Sequence, residues 1–202
     1  MELLILFLIG FILGIKHAFD ADHIVAVNTL LSKSKNIKNS LKLGAFWGIG
    51  HTLTLFLIGS IILFLGFSIS NKLGLFFELF VGIMLIFLGI STIHKKLEAK
   101  LRKYDGTKKS LGIGIIHGIA GSAALMLLIV SKITNIYLGL IYILVFGVGT
   151  IFGMMFVSLI LFKFFHLIFS GKKLSNMAGI ISIILGIIII YDIGFIQGLF
   201  LI

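Results

Sequence analysis

The sequence predicts an all-α integral membrane protein with six transmembrane helices, arranged as two inverted three-helix repeats. Three observations lead there. Only 12% of the 202 residues are charged, 59% are hydrophobic, and the mean hydropathy is +1.24, whereas soluble domains are nearer one quarter charged. The apolar residues gather into six runs, each long enough to cross about 30 Å of hydrocarbon at roughly 20 residues per helix. Short motifs also recur in the same order at an offset close to 100 residues.

The runs lie at 3–31, 43–67, 74–93, 111–131, 137–165 and 177–201. Each is read as a helix, because hydrocarbon offers no partner to an open backbone N–H or C=O. The first run follows Met1-Glu2, which supplies no basic n-region, and no small-x-small cleavage site follows it. It is therefore expected to remain as a span rather than to be removed as a signal peptide. The chain has 24 glycines and no proline, so any break in a helix is expected at glycine. The absence of cysteine excludes disulfides, thiolate ligands and thiol redox relays.

The connections justify the orientation. A net charge of +10 could point to nucleic acid, but the lysines sit in short loops between apolar runs. That is the pattern of a membrane topology signal, so no nucleic-acid partner is expected. The loops after the first, third and fifth spans, with the end of the fifth, hold 14 of the 17 lysines and arginines, against Lys72 and Lys132 on the other face. We expect a multi-pass plasma-membrane protein with both termini outside and the basic loops in the cytoplasm.

The repeat divides the chain within a single transmembrane domain, residues 1–202, into units 1–103 and 104–202. Gly14-Ile15-Lys16-His17-Ala18 matches Gly114-Ile115-Ile116-His117-Gly118 at an offset of 100. Gly48-Ile49-Gly50-His51 matches Gly147-Val148-Gly149-Thr150 at 99. Gly82 and Leu88-Gly89-Ile90 match Gly179 and Leu185-Gly186-Ile187 at 97. An odd number of helices per unit inserts the second unit upside down. Many secondary transporters are built this way, with the site near the midplane between repeats.

Within the greasy first span lie His17, Asp20, Asp22 and His23. At 100° per residue, His17, Asp20 and His23 share one face and Asp22 points elsewhere. Either Asp22 acts from outside the first coordination sphere or toward a neighbouring helix, or the helix is distorted at Ala21-Asp22. Each ionised side chain at the bilayer centre costs roughly 2.5–3.5 kcal/mol. A divalent cation would offset that cost, its charge cancelled by two carboxylates and its coordination met by neutral imidazoles. His51 and His117 lie deep in the second and fourth spans and are candidate partners, although either could instead bond a facing backbone carbonyl. His94 and His166, at the cytoplasmic ends of the third and fifth spans, are read as interface residues. Lys16 could neutralise a carboxylate or snorkel. A nitrogen and oxygen donor set without sulfur suits nickel, cobalt, zinc or manganese. The glycines along the second, fourth and fifth spans are expected at close helix contacts. The density at Gly118-Ile119-Ala120-Gly121-Ser122 also allows a locally unwound segment that would line a cavity.

These residues resemble a known family. His17-Ala18-Phe19-Asp20-Ala21-Asp22-His23-Ile24 looks like the R-H-A-x-D-A-D-H-I motif of the nickel/cobalt permeases. Gly50-His51-Thr52 resembles the Gly-His pair of that family's second polar helix, and the stretches around His117 and Phe146 to Met154 are similar to its six-helix, UreH-like branch. The resemblance covers about residues 10–190. It departs in Lys16, where the family has arginine, and in carrying the motif in the first span rather than the second. It implies metal binding at His17, Asp20, Asp22, His23 and His51, with a nickel or cobalt ion as transported substrate and no prosthetic group.

Uptake by alternating access is the function this implies. Efflux is the alternative, disfavoured because the loops at 32–42 and 94–110 contain only His94 as a histidine. An accessory protein for metalloenzyme maturation, or an intramembrane metalloenzyme, is a third reading. The metal, the driving ion and the oligomeric state are open at this point.

Overall fold

The computed structural model describes residues 2–32, 34, 36–66, 70–94, 106–119, 135–168 and 172–200. The described secondary structure is helical throughout: α1 (Glu2–His17), α2 (Ala21–Leu31), α3 (Ile37–Leu65), α4 (Asn71–Ile93), α5 (Gly106–Ile119), α6 (Ile136–Ile168) and α7 (Lys172–Tyr191), the last running into a π turn at Asp192–Ile196. Four of these are long and apolar enough to span a membrane alone, and the bent pair α1 and α2 brings the number to five when it is counted as one span. Together with the composition, this makes the chain an all-helical, multi-pass membrane protein. The fourth expected span is seen as α5 up to Ile119. The remainder of that run, with the possible unwinding at Ala120 to Ser122, lies outside the described residues.

Helix starts follow local chemistry. Asn36 and Ser70 are the N-caps of α3 and α4, accepting from the N–H of Asn39 and Leu73 at 2.8 and 3.3 Å. The Asn36 cap starts α3 six residues before the apolar run begins, so its first turn and a half carries Lys38, Asn39, Ser40 and Lys42.

The helices are apolar outside. On α4, Leu73, Phe76, Phe80, Ile83, Phe87 and Ile90 are exposed at helical spacing, while Val81, Met84, Leu85, Leu88, Ser91 and Thr92 are buried. In lipid an apolar outer face is expected, and close approach of small residues holds helices together instead. α3 packs chiefly on α6 and α5, α1 on α6, and α4 on α7, with α2 lodged among α3, α4, α6 and α7. Ala26, Val27, Leu30 and Leu31 of α2 are part of the main buried cluster.

The contacts come in pairs. A Cβ on Gly14 would collide with the Phe146 carbonyl and lie 2.9 Å from the Thr150 nitrogen; one on Gly114 would collide with the Trp47 carbonyl and lie 3.1 Å from the His51 nitrogen. Phe146 and Trp47 are 99 residues apart, as are Thr150 and His51. Likewise a Cβ on Gly186 would be 2.6 Å from the Gly82 oxygen, and one on Gly179 would be 2.8 Å from the Gly89 oxygen. The correspondence found between the motifs therefore also relates the helix contacts.

The first span departs most from expectation. It is bent by 57° between α1 and α2, and the break contains Ala18, Phe19 and Asp20, none of them glycine. The expectation that glycine would make any break is thus corrected. The N–H groups of Phe19 and Asp20 reach back three residues, to Lys16 and His17 at 2.9 and 3.1 Å, tightening the end of α1. Asp20 then turns extended (φ −62°, ψ 145°) as the N-cap residue of α2, a position aspartate favours.

Candidate metal centre

The break positions the polar residues. His17 ends α1, while Asp22 and His23 fall in the first turn of α2. Of the two alternatives for Asp22, a helix distortion is present, at Ala18–Asp20 immediately before Ala21-Asp22, so the single stripe of His17, Asp20 and His23 gives way to two short faces. Asp22 now sits at the N-terminal end of α2, where a carboxylate is favoured by the helix dipole, and accepts the His23 N–H at 3.0 Å.

Four imidazoles from four helices meet there. His17 is 7% exposed, and His23, His51 of α3 and His117 of α5 are fully buried. His17 Nε2 lies 3.2 Å from His51 Nε2, and His17 Nδ1 lies 2.8 Å from Asp20 Oδ2. Asp22 bridges the others: its Oδ1 is 2.9 Å from His23 Nδ1 and its Oδ2 is 3.2 Å from His117 Nε2. Among the described residues, neither His51 nor His117 bonds a backbone carbonyl, the role each could have had. Asp20 meets the cluster only through His17, and its carboxylate is half exposed. Lys16 and His94 are exposed, and the side chain of His166 lies outside the described residues.

Proton positions follow from the carboxylates. An ionised carboxylate only accepts, so the nitrogens facing Asp20 and Asp22 carry the N–H in neutral imidazoles. His17 Nε2 is then an acceptor, and His51 Nε2 donates to it. His23 Nε2, His51 Nδ1 and His117 Nδ1 are left as buried lone pairs with no hydrogen-bond partner among the described residues. A lone pair without a donor in a water-poor site is costly, and a cation that accepts it removes the cost. Carboxylates that orient imidazoles in this way are common around metal sites. One ligand atom each from His17, His23 and His51 lie within 4.8 Å of one another, and so do those from Asp22, His23 and His117.

Trp47 belongs to the same cluster, although nothing in the motif reading singled it out. Its indole is fully buried and stacks on His51 (5.0 Å, 12°), with His23 at 4.7 Å and His117 at 5.2 Å. Phe146, 99 residues after Trp47, lies 5.4 Å from His17. The signal was available: Trp47 is the only tryptophan, one helical turn before His51.

Residues 3–104 match a family described as high-affinity nickel-transport protein. The urease accessory protein UreH of Bacillus sp. (strain TB-90) is 40% identical over 98% of this chain and 96% of its own length. The chain belongs to the nickel-transport family. A putative nickel/cobalt efflux system of Methanocaldococcus jannaschii is 30% identical over 69% of this chain and 68% of that protein. The nickel transporter NixA of Staphylococcus aureus is 32% identical over 48% of this chain, which is 32% of NixA. No solved structure matches the chain. Members of the nickel-transport family are transporters and accessory proteins rather than enzymes, so the metalloenzyme reading falls. Nickel or cobalt is cargo for this family, not a prosthetic group.

Proposed function

We propose that this chain takes up nickel or cobalt across the plasma membrane, by alternating access of two inverted units, 1–103 and 104–202, around His17, Asp20, Asp22, His23, His51 and His117. The observation that carries the reading is the buried cluster itself. Imidazoles from α1, α2, α3 and α5 converge at a helix break, with lone pairs that have no donor among the described residues. Nitrogen and oxygen donors suit these ions, and discontinuous helices commonly carry the ion site in transporters. Of the six residues, Asp20 serves by holding the His17 ring. The positive charge of the three loops at 33–42, 95–109 and 172–173 supports an orientation with those loops in the cytoplasm and both termini outside. The name of the UreH relative fits a role in supplying metal to a metalloenzyme.

The test is uptake of radiolabelled nickel or cobalt by cells expressing the chain. His17→Ala and Asp22→Ala should lose uptake while reaching the membrane in normal amount. Uptake by both variants at the unmodified rate would overturn the site. Efflux is favoured by the name of the archaeal relative. Deletion separates the two directions: loss of an importer starves cells of metal, and loss of an exporter makes them metal-sensitive.

A further inference from the structure

The metal cluster is two clusters, and His23 is common to both. His17, His23 and His51 form one group, Asp22, His23 and His117 the other, each with ligand atoms within 4.8 Å. A metal–nitrogen bond is about 2.1 Å, so the ligand atoms of one ion lie no more than about 4.2 Å apart. The ligand atoms of the five residues fall into two groups rather than one, so a single ion does not collect all five at once. The groups also differ in charge. The first is three neutral imidazoles; the second includes the carboxylate of Asp22. They differ in origin too, since His117 is the only ligand candidate among the described residues from the second unit.

His23 is built to serve both. Its Nδ1 faces Asp22 at 2.9 Å, in the second group, and its buried Nε2 has no hydrogen-bond partner among the described residues. The ring lies 4.4 and 5.1 Å from those of His17 and His51, and 4.8 Å from that of His117. We propose that the cavity contains two adjacent metal stations that share His23, and that the ion passes from one to the other during transport. The all-imidazole station takes the ion through His23 Nε2. The second station takes it through His23 Nδ1, His117 Nε2 and Asp22, with the ring protons moving to the opposite nitrogens so that no net proton is lost. Because the stations share a ligand, one ion occupies the pair at a time, and release from one is coupled to capture by the other.

This proposal rests on the transport reading, and its test keeps the two apart. Purified protein in detergent is titrated with cobalt(II) and followed by its visible d–d absorption, which differs between three-nitrogen and nitrogen–oxygen donor sets. His117→Gln leaves the imidazole station and His51→Gln leaves the Asp22 station. Both variants should still bind cobalt, with two different spectra, and His23→Gln should bind none. Nickel transport into proteoliposomes should fall by about tenfold or more in all three variants, in line with losses at metal-site residues. Elution as a monodisperse species, like the unmodified protein, shows that a variant is folded. If folded His51→Gln and His117→Gln both lose cobalt, there is a single site and the proposal is overturned. If His117→Gln keeps the unmodified spectrum and transport rate, the second station does not exist. Two distinct spectra without any transport by the unmodified protein would support the stations and sink the transport reading instead.

Discussion

Asp22 shows how far residue-level reasoning reaches. Its type and neighbourhood marked it as part of a metal site, but on a straight helix it points away from His17, Asp20 and His23. The fold resolves the conflict by ending α1 at His17 and restarting at Ala21. Asp22 then reaches both His23 and His117. Asp20, which the straight helix placed on the stripe, is left at the break with His17 alone. Its role can be isolated. The Asp20 side chain makes no capping hydrogen bond to α2, so Asp20→Asn should keep the break while weakening the hold on the His17 N–H. Nickel affinity measured by calorimetry should fall by about 10- to 100-fold, the usual cost of losing an orienting carboxylate, with little change in thermal stability. An unchanged affinity would show that the half-exposed carboxylate does not orient the ring.

Among the elements, the paired glycine contacts make α1 and α5 equivalent in packing although they differ in chemistry. Gly14 against α6 and Gly114 against α3 both let backbones touch, and nothing near either contact is a flexible side chain that can retreat. An added methyl must move a helix, at roughly 1–3 kcal/mol for overpacking of this kind. Gly14→Ala and Gly114→Ala should each lower the melting temperature in detergent, and by similar amounts. Gly112, with nothing within 4 Å of a built Cβ, is the control, and Gly112→Ala should be neutral or slightly stabilising. A large effect at Gly14 with none at Gly114 would argue against the correspondence. Most elements were legible as long apolar runs, because length and hydropathy suffice for a span. The break was legible only as an alternative, from Asp22 lying off the stripe, because the segment contains neither glycine nor proline. It consists of two three-residue turns followed by an extended Asp20.

At the scale of the molecule, the proposed orientation makes a direct prediction. The chain has no cysteine, so single cysteines report position without background. Ser70→Cys, between the second and third spans, should react with a membrane-impermeant maleimide in intact cells. Lys38→Cys and Lys173→Cys should react only after the membrane is opened. The reverse labelling would invert the topology and, with it, the inference that the basic loops are cytoplasmic.

The sequence by itself determined that the chain is a helical membrane protein, where histidines and aspartates gather in its first apolar run, and that short motifs recur at an offset near 100 residues. These depend on composition, run length and local residue type, which one strand of letters contains. Only the tertiary structure decided how the donors divide: Asp22 between His23 and His117, Asp20 on His17 alone, Trp47 against His51. That division depends on a 57° bend and on the approach of four helices, and side-chain distances across helices are set by packing rather than by spacing along the chain.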